Sequence, residues 1–559
     1  MGAGIAGLVA ASDLQQRGHR VLVLEHNHQA GGLLSGMRRR GFYFDVGCQS
    51  FEDMGIVFPL LEQYGLSDLA NFQRARYRIV MPGLDANVES LPQIRREFQA
   101  AFPESAAGFE RAFALHERTS ELIRHLFTPD RVPYVRDERA LALPRWIASA
   151  LAAPGLSSPA RLARQLQDLP TLLLTDFKDW YERHLPPSGV RDLLSRCGYT
   201  RMNVFVASAF WHLWAHDYWY PEGGLQPWLD RWVARLQERG VRFLFKRTVT
   251  ALEKRGERVT AVLTRRGAGR SAGFGARGGS GFDERFEASE VVYCGDYRQA
   301  VHRLVGAERY GARELARLDG ARHSDAMISV YLGLDIPPDE LRDRLRTSHV
   351  FYFPSFDCQT AIDPRDPDAH RKAFLEVTAH GAGDPALRDE ARSAVVLQAF
   401  TRHDWLDGWG TGLSGDTARE DVTLPRPPGY RRLKRAVADQ LIASFETLVP
   451  GASRRVAYLD VGAPSSAVRF TRNAFGGTCG FELNWRNFPF LNPLAHVATP
   501  LENFHMAGHF TVWPGAVPTA ALSGKIAALR AHDRLRARRG SAGTDKTARR
   551  ATVTSRGGP

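Results

Sequence analysis

With 559 residues the chain can fold as two domains with sizeable cores, and its 44% hydrophobic and 24% charged content is that of a globular protein rather than a membrane-spanning or disordered one. Its net charge of +13 fits an arginine-biased solvated surface or a face drawn to anionic lipid, and with no basic recognition helix, nucleic acid is not an expected partner. Five scattered cysteines without C-x-x-C spacing, and no apolar run near the ~18 residues of a spanning helix, point to a reducing cytoplasm, no metal site and at most peripheral membrane contact.

The chain opens on Gly2, Gly4 and Gly7 in G-x-G-x-x-G spacing, followed by a predicted helix over Leu8 to Arg17, a stop at Gly18, an apolar strand over Val21 to Leu24, and Glu25. This order is that of a dinucleotide-binding unit. Gly2 permits the tight turn, Gly4 lets backbone approach a pyrophosphate, and Gly7 lets helix and strand pack closely. The helix N-terminus offers free N–H groups and partial positive charge to the phosphates, and Glu25 falls near the offset at which a carboxylate meets a ribose hydroxyl. The alternative is a glycine-rich turn with no nucleotide. Such a motif ordinarily follows a buried parallel strand, and only Met1 precedes Gly2; further apolar residues are expected ahead of it.

Next come Gly31-Gly32-Leu33-Leu34-Ser35 and then Arg39, Gly41, Phe42, Phe44, Asp45 and Gly47. A glycine doublet here lets a loop pass close over a dinucleotide, where a Cβ would collide. The doublet with the following G-F-x-F-D-x-G resembles the FAD-dependent oxidoreductases that include phytoene desaturases, carotenoid isomerases and retinol saturases, and more distantly the flavin amine oxidases. The resemblance implies FAD held by Gly2, Ala3, Gly4, Ala6, Gly7, Glu25, Gly31, Gly32 and Leu33. It implies an α/β fold: a discontinuous Rossmann-like FAD-binding domain, its first strand apparently missing, interleaved with an α+β substrate domain. The expected boundaries are 1–75, 221–300 and 481–532 for the first and 76–220 with 301–480 for the second.

Residues 56 to 200 read mainly as helices. Phe210, Trp211, Trp214 and Tyr218 fall on roughly one helical face, as core or as pocket wall; the resemblance tilts Trp211, Trp214, Tyr218 and Phe475 toward a substrate pocket. His212, His216 and Asp217 read as a proton relay or as local hydrogen-bonding groups. A helix is expected over 225–239 and strands over Val241–Phe245, Val249–Glu253, Arg258–Thr264 and Phe286–Tyr293, with Val249 near the adenine by resemblance. Residues 265–282, rich in Gly, Ser and Arg, read as a flexible loop. Apolar runs at 323–335, 349–356, FLEVTA and SAVVLQAF suggest an antiparallel sheet, and GYRRLKRAVADQLIASFETLVPG a helix.

The last motif is NFHMAGHFTVWPGAVPTAALSGKIAALRA: a buried strand, Gly508, then a helix from Val517 bearing Ala520, Ala521, Ser523 and Gly524. By resemblance Gly508, His509, Gly515, Ala516 and Val517 close the other end of the FAD site, although His509 stands where an acidic residue is common. The segment 533–559 reads as a disordered basic tail. No nucleophile triad, metal cluster or P-loop appears.

The expected function is therefore an FAD-dependent oxidoreductase acting on carbon–carbon bonds of a long apolar polyene or isoprenoid-like molecule by desaturation, saturation or cis/trans isomerisation. Glu482 and His509 are candidates for proton handling. Two alternatives stay open: a flavin amine oxidase, with Trp513 walling the flavin, and a non-catalytic prenyl-protein binding module of the same fold.

Overall fold

The computed structural model describes residues 1–128, 132, 134–136, 159–267, 282–412, 427–484, 497–512 and 515–553. Strand Leu22–Leu24 pairs in parallel with Arg242–Leu244, and Val291–Tyr293 pairs in parallel with Phe504–Met506. Met1 and Gly2 lie between these two pairs. The Met1 ammonium donates to Val292 O at 2.7 Å, Met1 O accepts from Cys294 N at 2.9 Å, and Gly2 N donates to Leu24 O at 2.8 Å. Helices Ile5–Gln16 and Val517–Val553 pack on one another beside these strands, and helix Leu225–Glu238 seals the same core with the fully buried Trp228 and Trp232.

A second layer is a seven-stranded sheet, in spatial order Val456–Gly462, Ala326–Leu334, Ser393–Thr401, Leu375–Thr378, His349–Tyr352, Tyr77–Met81 and Leu84–Val88. All its junctions are antiparallel except that between His349–Tyr352 and Tyr77–Met81. Successive side chains of a strand point to opposite faces. Ile328, Val330, Leu375, Val377, Val395 and Leu397 accordingly fill one face, packed against Val437, Leu441 and Phe445 of helix Pro428–Leu448. Burying each such side chain contributes roughly 1.5–3 kcal/mol. Their neighbours Ser329, Tyr331, Glu376, Gln398 and Phe400 face the other way, into a cavity.

Four expectations require correction. The helical reading of 56–200 misses the strands Phe72–Arg74, Tyr77–Met81 and Leu84–Val88; Leu84, Ala86 and Val88 alternate buried with exposed neighbours after a turn at Gly83 (φ 82°), a hairpin signal outweighed by the surrounding helical periodicity. Tyr218 lies on strand Tyr218–Pro221, because helix Val204–His216 stops at the Asp217 cap. The expected strand Phe286–Tyr293 is two, Glu284–Glu287 and Val291–Tyr293, in different sheets. Of the segment 533–559 expected as a disordered tail, the part to Val553 continues the last helix, in keeping with its Arg and Ala content, and 554–559 lie outside the described residues. Of the loop expected over 265–282, strand Arg258–Arg266 takes the first two residues, and 268–281 lie outside the described residues, as does Trp513.

Candidate active site

The N–H groups at the start of helix Ile5–Gln16 have no side-chain cap: its N-cap is Gly4, and Leu8 N is the first to bond back, to Gly4 O at 3.0 Å. The turn before it is tight because Gly2 takes φ 94° and Gly7 lets the helix sit on it; a Cβ on Gly7 would stand 2.0 Å from Gly2 O. Gly31 N donates to Ala3 O at 2.9 Å, which brings the glycine doublet against this turn. A Cβ on Gly4 would meet only Gly31 O, at 3.9 Å, and would project into the cavity that Gly4 and Gly32 line. That open cradle in front of uncapped amides suits a pyrophosphate.

Glu25 sits at the end of the cradle. Its Oε2 accepts from Ala3 N at 2.6 Å and its Oε1 from Asn27 N at 2.7 Å. Burial raises its pKa, and those two amides oppose the rise. Glu25 lines the cavity, as a ribose partner must. At the other end Gly508 N donates to Ser523 Oγ at 2.7 Å, and Gly515 and Ala516, both at positive φ, turn the chain into the last helix. Gly508, His509, Gly515, Ala516 and Val517 all line the same cavity, as do Ala6, Leu33 and Val249. Ala3 and Gly7 act one step back, the first by holding Glu25 and the second by closing the turn. These residues fit FAD.

The cavity measures about 990 Å³, at the upper end of ligand sites of roughly 300–1,000 Å³. From the glycine cradle it runs into a chamber walled by Trp211, Trp214 and Phe210 on one side and Phe351, Phe374 and Phe400 on the other. Helix Val204–His216 presents its aromatic face because Asn203 caps it, accepting from Val206 N at 3.0 Å. The Trp214 and Phe351 rings meet edge to face with centroids 4.9 Å apart.

Tyr218 lines this chamber as expected; its other polar groups, Glu52, Glu376, Tyr77, Tyr199, Cys48 and Cys479, are ones the sequence motifs did not flag. Burial raises the pKa of Glu52, and the nearby Tyr218 hydroxyl and Val517 amide oppose the rise. Burial alone brings the Glu376 carboxyl up to about 7. Tyr77 shares a 2.8 Å hydrogen bond with Ser50 Oγ, and the Cys479 thiol donates to Tyr199 Oη at 3.3 Å. A lone glutamate inside the apolar run FLEVTA was the available signal for Glu376.

Two expected site residues lie elsewhere. Glu482 is not part of the cavity wall; it faces Arg201 at 3.9 Å and accepts from Asn484 Nδ2 at 3.3 Å. Phe475, at φ 59°, turns its ring onto His323 and His403, with centroids 5.0 and 4.5 Å away, and also misses the cavity. His509 does reach it, packed on Phe510, and burial pulls its pKa down to about 4, so the imidazole is neutral near pH 7. The supposed relay is local: His212 Nδ1 pairs with Ser120 Oγ at 2.8 Å, and Asp217 accepts from Met54 N at 2.7 Å and Trp219 Nε1 at 2.8 Å.

A family model described as flavin containing amine oxidoreductase matches residues 5–400. Across 94% of its length the chain is 21% identical to all-trans-retinol 13,14-reductase of Danio rerio, covering 85% of that protein, and 23% identical to the Homo sapiens protein of the same name, covering 83%. A 4,4'-diapophytoene desaturase of Staphylococcus haemolyticus is 47% identical over 47 residues, 8% of this chain and 9% of the desaturase. Among solved structures, a putrescine oxidase A394C mutant superposes with a TM-score of 0.56 at 16% identity, over 95% of this chain and 98% of that one, a likeness of fold.

Proposed function

The chain belongs to the flavin-containing amine oxidoreductase family and is an FAD-dependent oxidoreductase; from that premise we propose that it changes the order of a carbon–carbon bond in a long apolar polyene or isoprenoid-like molecule. The observation that carries this reading is the continuity of the glycine cradle with a deep aromatic chamber in one cavity. Full-length similarity to proteins named for reducing a retinol double bond favours reduction over desaturation or isomerisation.

Bound FAD supplies hydride exchange with carbon. The chain's own groups do the rest. The cradle amides and Glu25 fix one end of the cofactor, and the turn at Gly515 and Ala516 closes the other. Trp211, Trp214, Phe351 and Phe400 present an aromatic wall to an extended hydrocarbon and keep water from it. The Glu376 carboxyl, near its titration midpoint at neutral pH, holds a proton at the chamber wall.

The test is anaerobic incubation of the dithionite-reduced and the oxidised holoenzyme with retinoid and prenyl polyenes, followed by mass spectrometry. Gain of two hydrogens supports reduction, loss of two desaturation, and unchanged mass with altered retention isomerisation. Hydrogen peroxide produced from amines, with polyenes untouched, overturns the reading in favour of amine oxidation.

A further inference from the structure

Glu376 stands in a transverse row on the cavity face of the seven-stranded sheet. The strand register puts it directly opposite Phe351 on one side and Gln398 on the other, with Ser329 beyond Gln398. All four line the cavity. Gln398 is committed elsewhere: its Nε2 donates to Gly47 O at 3.0 Å and to Ser329 Oγ at 2.9 Å. Glu52, the other acid of the chamber, has the Tyr218 hydroxyl and the Val517 amide near it, and both favour its charged form. Glu376 has no hydrogen-bond or ion-pair partner among the described residues, and the surface it does show is cavity wall.

Glu376 is only partly buried, so in the open cavity its carboxyl keeps water; an apolar ligand that displaces that water among Phe351, Phe374 and Phe400 leaves the carboxyl without its hydrogen bonds, which costs binding free energy. A ligand that completes those bonds recovers that loss, which makes such a group discriminate sharply between ligands with and without a matching polar atom. Burial favours the neutral acid, which both donates through its O–H and accepts through its carbonyl oxygen. A hydroxyl matches that pair of functions, whereas a hydrocarbon offers neither.

We propose that Glu376 is a specificity-determining residue that anchors a hydroxyl group carried by the polyene or isoprenoid-like substrate, so that the chamber selects prenyl or polyene alcohols over the matching hydrocarbons. The proposal rests on the function proposed above and adds the chemical class of the substrate's polar end. No covalent step is involved.

The test is equilibrium binding to the holoenzyme, read from perturbation of the flavin spectrum and quenching of tryptophan fluorescence. The probes are geranylgeraniol, the hydrocarbon of the same skeleton lacking the hydroxyl, and geranylgeranylamine. The wild type is expected to bind the alcohol about tenfold more tightly than the hydrocarbon. Glu376→Leu is expected to bring the ratio to about one, and Glu376→Gln, which keeps a donor and an acceptor, to retain most of the preference. Equal binding of alcohol and hydrocarbon by the wild type, a preference that persists in Glu376→Leu, or tighter binding of the amine than the alcohol overturns the anchor and leaves the polyene reading standing. Failure of all three prenyl probes to bind overturns both. The wild-type comparison needs no variant, so a leucine variant that fails to fold leaves the proposal falsifiable.

Discussion

Gly524 of the last helix lies directly on Ala6 of the first: a Cβ built on Gly524 would stand 2.2 Å from the Ala6 carbonyl oxygen. The two helices start the two ends of the cofactor site, so their crossing distance sets the spacing between the cradle at Gly4 and the turn at Gly515. Backbone on backbone leaves no flexible side chain to give way. Gly524→Ala is therefore expected to cost about 1–3 kcal/mol by overpacking and to lower bound flavin together with thermal stability. Flavin absorbance and the melting temperature of the same preparation check it.

Gly4 and Gly7 are three residues apart and fail in different ways. A Cβ on Gly4 projects into the cradle without striking the chain, whereas one on Gly7 runs into Gly2 O at 2.0 Å. Gly4→Val is expected to leave the melting temperature of the apoprotein within a few degrees while weakening FAD by at least tenfold, about 1.4 kcal/mol. Gly7→Ala is expected to destabilise the apoprotein itself. Titration of apoprotein with FAD, alongside calorimetry without it, separates the two.

Trp214 packs edge-on to Phe351 from across the chamber and lines it without taking part in the cradle. Trp214→Ala is expected to weaken a bound polyene by about 1–3 kcal/mol through lost ring contact and a widened chamber, with FAD content unchanged. Binding of a retinoid or prenyl ligand measured at equal flavin occupancy gives the answer; a matching loss of flavin would show instead that the tryptophan supports the fold.

The glycines were legible because each is demanded by backbone geometry that sequence spacing encodes: Gly2 by its turn, Gly7 by contact with that turn, Gly508 by its φ of 103°. Helix Pro428–Leu448 was legible from its proline start and apolar spacing. The polar chamber was not. Tyr77 and Glu376 come from two strands of the seven-stranded sheet far apart in sequence, Glu52 comes from strand Phe51–Glu52 of a separate small sheet, and the three meet only at the cavity between those sheets. Phe475 was misplaced because its side-chain direction depends on a positive φ that no motif announces, and Glu482 because strand or loop direction, not residue type, decides whether an acid faces the cavity. Substituting Glu482→Gln is accordingly expected to leave turnover within about twofold, since hydrogen bonding to Asn484 survives and the exposed Arg201 contributes little. A steady-state assay decides that.

The charge state of Glu376 makes a prediction about stability that is independent of any substrate. In the unfolded chain its carboxyl titrates near about 4.3, whereas burial in the chamber brings it up to about 7 in the folded protein. Below the unfolded value both states hold the proton, and Glu376 and a glutamine in its place impose similar costs. Between the two values the unfolded chain gives up its proton and the folded chain keeps it, so the wild type loses stability as pH rises. Above about 7 both states are ionised and the penalty is constant. Glu376→Gln carries no charge to desolvate, so its stability relative to the wild type is expected to grow from about pH 4.3 to about pH 7 and then level off, by up to about 3 kcal/mol. Denaturant unfolding of the two apoproteins across pH 4 to 9 measures the difference curve. A flat curve, or one falling with pH, would mean that the folded protein holds Glu376 as a satisfied carboxylate, contrary to its position facing Phe351 and Gln398.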